Sequence, residues 1–245
     1  EIRLSLVGSE MCIRDRDMEV SDEIKDRYLS LIHMRKEHIP LQHITGTQEF
    51  MGFDFFVNEN VLVPRQDTEC LVENVLPFAH GKKILDMCTG SGCIIISLKK
   101  LEETAECTGA DISKKALEVA QKNAASNEAE VYFIESDMFE KINGKYDIIV
   151  SNPPYIRPDV IKTLEPEVRE HDPMLALDGG EDGLMFYRIL AKEGKKHLAG
   201  PGMMFMEIGH DQGRAVKEIF ENEGFKEVVV KKDLCENDRV VMAVK

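Results

Sequence analysis

From Lys82 onward, short runs of branched apolar residues alternate with longer stretches whose apolar residues recur every three or four positions. "KKILDM", "ECTGADI", "EVYFIES", "YDIIVS" and "GMMFMEI" predict strands. "SGCIIISLKKL", "SKKALEVAQKNAASN", "EDGLMFYRILAKEGKKHL" and "DQGRAVKEIFENEG" predict helices. Strands separated by helices and short links form a mostly parallel sheet covered on both faces, an α/β fold. "FKEVVVKKD" and "DRVVMAVK" follow with no helix between them, so the last strand should run antiparallel. Earlier in the chain, "SDEIKDRYLSLIHMRKE" carries Ile24, Tyr28, Leu31 and Ile32 at helical spacing behind Ser21 as an N-cap. "EFMGFDFFVNENVLVP" (Glu49–Pro64) reads as a hairpin or short strands, and "DTECLVENVLPF" as a short helix capped by Asp67.

A chain of 245 residues, 43% apolar and 31% charged, can bury one sizeable core with a small appendage. Apolar runs such as "CIIISL" fall well short of the roughly 18–20 residues of a membrane span. The six cysteines form no C-x-x-C pair and read as reduced thiols of a cytoplasmic protein. The net charge of −14, with basic residues scattered in short pairs, argues against a grip on nucleic-acid phosphates. It favours a protein or small-molecule substrate. Residues 1–16, "EIRLSLVGSEMCIRDR", have no apolar signal core and resemble translated adapter sequence. They are set aside as a sequence artefact, in which case the natural chain begins near Asp17 or Met18 or has lost its natural start.

"ILDMCTGSG" (Ile84–Gly92) is a strand, a turn of small residues and a helix start. It lacks the G-x-G-x-x-G spacing of a pyrophosphate loop, and Asp86 precedes the turn. An acid at the mouth would repel a phosphate but suits a cationic ligand bearing an ammonium and a sulfonium. Gly90 and Gly92 let the backbone approach such a ligand. Asp111 ends the second strand, where a carboxylate accepts hydrogen bonds from ribose hydroxyls. Asp137 and Met138 follow the third strand, where a polar group and a flexible apolar wall would meet an adenine.

The strand "YDIIVS" runs into "NPPY", which faces the same crevice as the cofactor loop. Asn152 and Pro153 each precede a proline and are biased to extended backbone. An amide or aromatic NH2 is a poor nucleophile because its lone pair is delocalised. Two acceptors, the Asn152 side-chain oxygen and the Pro153 carbonyl, would bind its hydrogens and aim the lone pair at a methyl group. Tyr155 would pack on the planar substrate. Such catalysis rests on orientation and electrostatics, and the reading is methylation of a planar nitrogen.

"ILDMCTGSG", "ADIS", "SDMF" and "SNPPYI" resemble the class I S-adenosylmethionine-dependent methyltransferases with an N/D-P-P-Y site. "PLQHITGTQEFMGFDFFVNENVLVPRQDTECLVE", "HDPMLALDGGEDGLMFYR", "MEIGHDQG" and "ENDRVVMAVK" are similar to the peptide chain release factor N5-glutamine methyltransferases, over roughly residues 37–245. The resemblance implies transfer of a methyl group from S-adenosylmethionine to the glutamine of the Gly-Gly-Gln motif of bacterial release factors. It also implies a Rossmann-like seven-stranded sheet, mostly parallel with an antiparallel last strand. The expected organisation is a shortened helical substrate-docking segment (17–45), a hairpin linker (46–66) and the methyltransferase domain (67–245). Carried over by motif, Cys88, Thr89, Gly90, Ser91 and Gly92 would line the methionine part of the cofactor. Asp111 would hold the ribose and Met138 would sit beside the adenine. Asn152, Pro153, Pro154 and Tyr155 would hold the substrate glutamine, with Asn152 also near the cofactor. Arg65, Asp67 and Glu69 would brace the crevice.

Three departures stand out. Cys88 replaces the first glycine of the loop, "HDP" replaces a Glu-Pro pair, and the helical N-terminal domain is reduced to about one helix. Two other readings use the same residues. A nucleic-acid base methyltransferase, acting on adenine N6 or guanine N2, would need a clustered basic groove. A binding module would hold the cofactor without turnover. His33, His38 and His43 rotate around a helix at their five-residue spacing, so no metal site is expected.

Overall fold

The computed structural model describes residues 20–245 in two compact units, divided between Ile39 and Pro40. The first holds helix α1 (Asp22–Lys36). Ser21 caps it, its side chain accepting from the Ile24 N–H at 3.4 Å. Asp22 and Glu23 in the first turn and Arg35 and Lys36 in the last complement the helix dipole.

The second unit starts with a short helix, α2 (Leu41–Thr45), that stops at Gly46 in the left-handed region. Strands β1 (Thr47–Phe50) and β2 (Phe53–Phe56) pair antiparallel around Met51 and Gly52, whose φ values of 52° and 78° are those of a type I′ turn. Met51 lacks glycine's freedom there, and its N–H donates to Glu69 Oε1 at 2.6 Å. Helix α3 (Gln66–Val75) carries that glutamate. Asp67 is not its cap: the helix starts at Gln66 without a side-chain cap, and the Asp67 carboxylate pairs with Arg239 at 2.9 Å.

The sheet contains seven strands in the order β5-β4-β3-β6-β7-β9-β8. They are β3 (Lys83–Met87), β4 (Glu106–Asp111), β5 (Val131–Glu135), β6 (Tyr146–Ser151), β7 (Leu198–Glu207), β8 (Glu227–Lys232) and β9 (Asp238–Val244). All neighbours are parallel except at β9, which runs antiparallel between β7 and β8. This is the arrangement the alternating pattern and the two closing strands predicted. Helices α4 (Cys93–Leu101) and α5 (Lys114–Ser126) cross between the first strands. Between β6 and β7 lie three short helices, α6 (Pro158–Ile161), α7 (Pro166–His171) and α8 (Met174–Leu177), then α9 (Met185–Ile189). Helix α9 runs on through a π-helical turn at Leu190–Gly194, and α10 (Gly213–Asn222) follows β7.

Successive residues of the central strands enter opposite cores, as a sheet buried on both faces requires. Leu85 and Ile149 pack with Tyr187, Leu190 and Phe220 on one side. Ile84 and Ile148 pack with Phe50, Leu71 and Ile95 on the other. Among the described residues no helix is long and apolar enough to cross a membrane. Strand order reverses between β3 and β6, where Met87 lies opposite Ser151 and the Ser151 hydroxyl donates to the Met87 carbonyl at 2.6 Å. The chains leaving these two strands therefore emerge side by side at a switch point, where open α/β sheets bind ligands.

Candidate active site

A cavity of about 460 Å³ opens at that switch point, within the usual range for small-ligand sites. Cys88, Thr89, Gly90 and Ser91 line it from the loop after β3, Asp111 from the end of β4, and Met138 from the loop after β5. Asn152 and Pro154 line it from the end of β6. Gly92, Pro153 and Tyr155 are not among the residues that line it. Gly92 begins α4 with a φ of 80°, and a Cβ there would come within 2.9 Å of Ile96 and 3.2 Å of Ala120. Its lack of a side chain lets α4 and α5 approach.

The loop is shaped by local backbone bonds. The Thr89 N–H donates to the Ala110 carbonyl at 3.0 Å, and the Gly92 N–H to the Thr89 carbonyl at 2.8 Å. Cys88 sits at a φ of 63°, the left-handed region that a glycine would occupy freely. Its sulfur lies 3.9 Å from that of Met138, and burial pushes its thiol pKa up, so it packs as a small apolar group.

Asp86 does not stand at the mouth. It is fully buried behind the turn, because both faces of β3 are covered. The Thr89 hydroxyl donates to its Oδ2 at 2.5 Å, while no described residue hydrogen-bonds Oδ1. Burial pushes its pKa up to about 8, opposed by Thr89 and reinforced by the charge of Asp111.

Each Asp111 oxygen accepts one backbone N–H, Oδ2 from Gly90 at 2.9 Å and Oδ1 from Ser113 at 2.8 Å. Burial raises its pKa against those bonds. A carboxylate oxygen has a second lone pair, so both oxygens can still accept from a ligand's hydroxyls. This is the pair of acceptors a ribose needs. The cavity size, the Asp111 carboxylate and the apolar Met138 wall fit S-adenosylmethionine.

The NPPY segment is fixed by side chains from distant elements. Asn152 Nδ2 donates to Thr68 Oγ1 on α3 at 3.3 Å. The Tyr155 hydroxyl donates to Glu207 Oε1 at the end of β7, at 3.4 Å. Gln212 donates to the Tyr155 carbonyl at 3.0 Å and the Gly183 carbonyl at 3.2 Å, and its own Oε1 accepts from the Gly209 N–H. Gly179 and Gly183 press on the Tyr155 backbone: a Cβ on Gly179 would lie 2.6 Å from Tyr155 Cα, and one on Gly183 2.5 Å from the Tyr155 carbonyl oxygen. Glu207 is buried and its pKa is pushed up to about 7; the Thr68 hydroxyl and Arg239 oppose that rise.

The linker braces the crevice through two further contacts. Arg65 pairs with buried Asp172 of the "HDP" segment at 2.8 Å. Asn123 on α5 accepts from the Phe56 N–H at 2.7 Å and donates to the Phe56 and Ser91 carbonyls, joining the hairpin to the loop after β3. Thr68, Asn123, Glu207 and Gln212 did not emerge from the motifs as site residues. Two carry a signal in hindsight: Glu207 is an acid within an apolar strand, and Asn123 a polar residue on the alanine-rich buried face of α5.

Residues 65–167 match the methyltransferase small domain family. A release factor glutamine methyltransferase of Clostridium acetobutylicum is 43% identical over 241 residues, covering 95% of this chain and 85% of that one. One of Agrobacterium fabrum is 45% identical over 231 residues, covering 91% and 80%. Among solved structures, a methyltransferase from Pyrococcus furiosus superposes with a TM-score of 0.63 at 18% identity, covering 92% of this chain and 99% of that chain, a likeness of fold.

Proposed function

The chain belongs to the release factor glutamine methyltransferase family, and from that premise we propose that it transfers a methyl group from S-adenosylmethionine to the side-chain amide nitrogen of a glutamine in peptide chain release factors. Bound S-adenosylmethionine supplies an electrophilic methyl group on its sulfonium. Everything else in this reading falls to the chain's own residues.

Asp111 holds the ribose through its remaining lone pairs, and the Cys88–Ser91 backbone wraps the methionine end. Asn152 carries the reading furthest. Its amide NH2 is already committed to Thr68, which supports the oxygen as the acceptor turned to the substrate amide. With the Pro153 carbonyl as second acceptor, the two amide hydrogens are held and the nitrogen is oriented toward the methyl group. Preorganised acceptors of this kind lower the barrier without a strong base. Pro154 walls the cavity, and Tyr155 is anchored through its hydroxyl to Glu207.

The helical segment before Ile39 serves substrate docking, and the work takes place in the cytoplasm. Scattered basic residues and a net charge of −14 favour a protein over a nucleic-acid substrate. The test is mass spectrometry of purified release factor incubated with the protein and S-adenosylmethionine. One added methyl on the glutamine of the Gly-Gly-Gln motif is expected, absent with Asn152→Ala. An unmodified glutamine with a methylated RNA or DNA control would overturn the choice of substrate.

A further inference from the structure

The chain loses its usual anchors as it leaves β6. Ser151 still pairs with Met87 and Met206, but Pro153 and Pro154 have no N–H to donate. A segment short of backbone donors needs another group to grip its far end. Gln212 supplies the grip. Its Nε2 donates to the Tyr155 carbonyl at 3.0 Å and to the Gly183 carbonyl at 3.2 Å. Its Oε1 accepts from the Gly209 N–H at 3.0 Å, while its own N–H donates to the Gly209 carbonyl at 2.9 Å. Both amide hydrogens and the amide oxygen are thus engaged, and the Gly209 bond fixes which way round the amide lies.

We infer that Gln212 is a positioning residue for methyl transfer, which holds the Pro153 carbonyl and the outer wall of the cavity in one fixed arrangement. The first half follows from the prolines, whose φ angles are locked at about −65°. With Ser151 held in the sheet in front and the Tyr155 carbonyl held behind, the Pro153 carbonyl between them has little freedom to turn. The second half follows from Gly183, which leads into α9, where Met185, Phe186 and Ile189 line the cavity. A Cβ on Gly183 would lie 2.9 Å from Gln212 Nε2, so glycine there lets one nitrogen reach both carbonyls. Helix α8 is drawn into the same arrangement. The Ile156 N–H donates to the Leu177 carbonyl and the Gly179 N–H to the Ile156 carbonyl, both at 2.9 Å.

This inference rests on the amide-methylation reading above and adds to it a residue that does not itself line the cavity. The Pro153 carbonyl is one of the two acceptors for the substrate NH2. Tilted away, it leaves one amide hydrogen unheld, and the nitrogen lone pair no longer points at the methyl group.

Gln212→Met keeps the length of the side chain and removes its three hydrogen bonds. It should lower kcat for release factor methylation about 100-fold, the order for a reacting group displaced by about 1 Å. KM and S-adenosylmethionine affinity should stay within a few-fold. Gln212→Glu, which turns a second oxygen toward two carbonyls, should lose at least as much. A double-variant cycle separates positioning from a general loosening. Once Asn152→Ala has removed one acceptor, the other no longer orients the amide, so adding Gln212→Met should cost less than about threefold more. A merely structural role would multiply the two losses.

A further readout needs no turnover. In ¹⁵N-labelled wild-type protein, the Gln212 side-chain NH2 signals, assigned by their absence in Gln212→Met, should exchange slowly with solvent. Should Gln212→Met fail to fold, Gln212→Asn, one methylene too short to span Gly209 and Tyr155, carries the assignment and the cycle. Rapid exchange of those protons, losses that multiply in the double variant, or a folded Gln212→Met enzyme with wild-type kcat would overturn the inference. Failure of the methylation reading itself looks different: wild-type protein would leave the glutamine unmodified, while slow exchange would still show the Gln212 grip in place.

Discussion

The loop Cys88–Gly92 takes its shape from its own backbone, whereas Asn152–Tyr155 takes its shape from side chains that arrive from far along the chain. In the loop, Cys88, Gly90 and Gly92 adopt φ values of 63°, 55° and 80°, and neighbouring amides close the turn. At the other end, Thr68, Gln212 and Glu207 reach in from positions 84, 57 and 52 residues away. The difference matches the two tasks proposed for these segments. Wrapping a cofactor needs close approach and backbone donors, which small residues supply locally. Orienting a planar amide needs acceptors held in one rotamer, which takes packing and hydrogen bonds from behind.

Removing the acceptor should break the far end and spare the near one, and this is the largest effect expected. Asn152→Ala should lower kcat by about 10²–10³, the usual order for losing one preorganised polar group. Calorimetry should find S-adenosylmethionine still bound within a few-fold. A comparable collapse of cofactor binding would mean that the two ends are one cooperative unit and the contrast is false.

A second pair of variants compares the ends directly. Alanine at Gly179 puts a Cβ 2.6 and 2.7 Å from the Tyr155 backbone, which cannot swing away. A loss of about 1–3 kcal/mol in stability is expected from such overpacking, with kcat falling as NPPY shifts. Alanine at Gly90 meets nothing within 4 Å and bears only the cost of its φ of 55°, about 1–2 kcal/mol. Denaturant melts of both proteins, paired with kcat, should show a Tyr155-dependent loss of turnover only for Gly179→Ala.

This contrast also decides what could be read in advance. Strands β3 and β6 were plain because each is a run of branched apolar residues with both faces buried, and the loop was plain because its glycines and Asp111 lie at successive strand ends. NPPY was visible as a motif, yet its supports were not, since no local pattern joins Thr68 to Asn152 or Gln212 to Tyr155. Asp86 misled because its charge suggested an exposed mouth. Its place between Leu85 and Met87 in a strand covered on both faces put it in the core instead. The π-helical turn at Leu190–Gly194 shifts the register of an otherwise ordinary amphipathic run, and its composition gives no warning.

Asp86 gives the near end a pH dependence of its own. The folded protein holds the Asp86 proton more tightly than the unfolded chain, with a pKa raised from 3.8 to about 8. Between those values the native state binds more protons, so stability falls as pH climbs through the window, by at most about 1.4 kcal/mol per pH unit. Thermal melts should therefore flatten with pH in Asp86→Asn. An unchanged slope would place the buried proton elsewhere, with Glu207 the next acid to examine.

The smallest effect is expected where the backbone argument is strictest. Cys88→Gly removes a Cβ from a left-handed residue, relieving about 1–2 kcal/mol of strain. It also loosens the unfolded chain, at a cost of about 0.5–1 kcal/mol, and gives up the packing of the thiol on Met138. These terms oppose one another, so the melting temperature should move by only a few degrees and cofactor affinity by less than about fivefold. If the loop is a backbone device, either residue fits once φ is satisfied. A tenfold or greater fall in affinity for S-adenosylmethionine would show that the Cys88 side chain shapes the cavity, and the near end would then depend on side-chain packing much as the far end does.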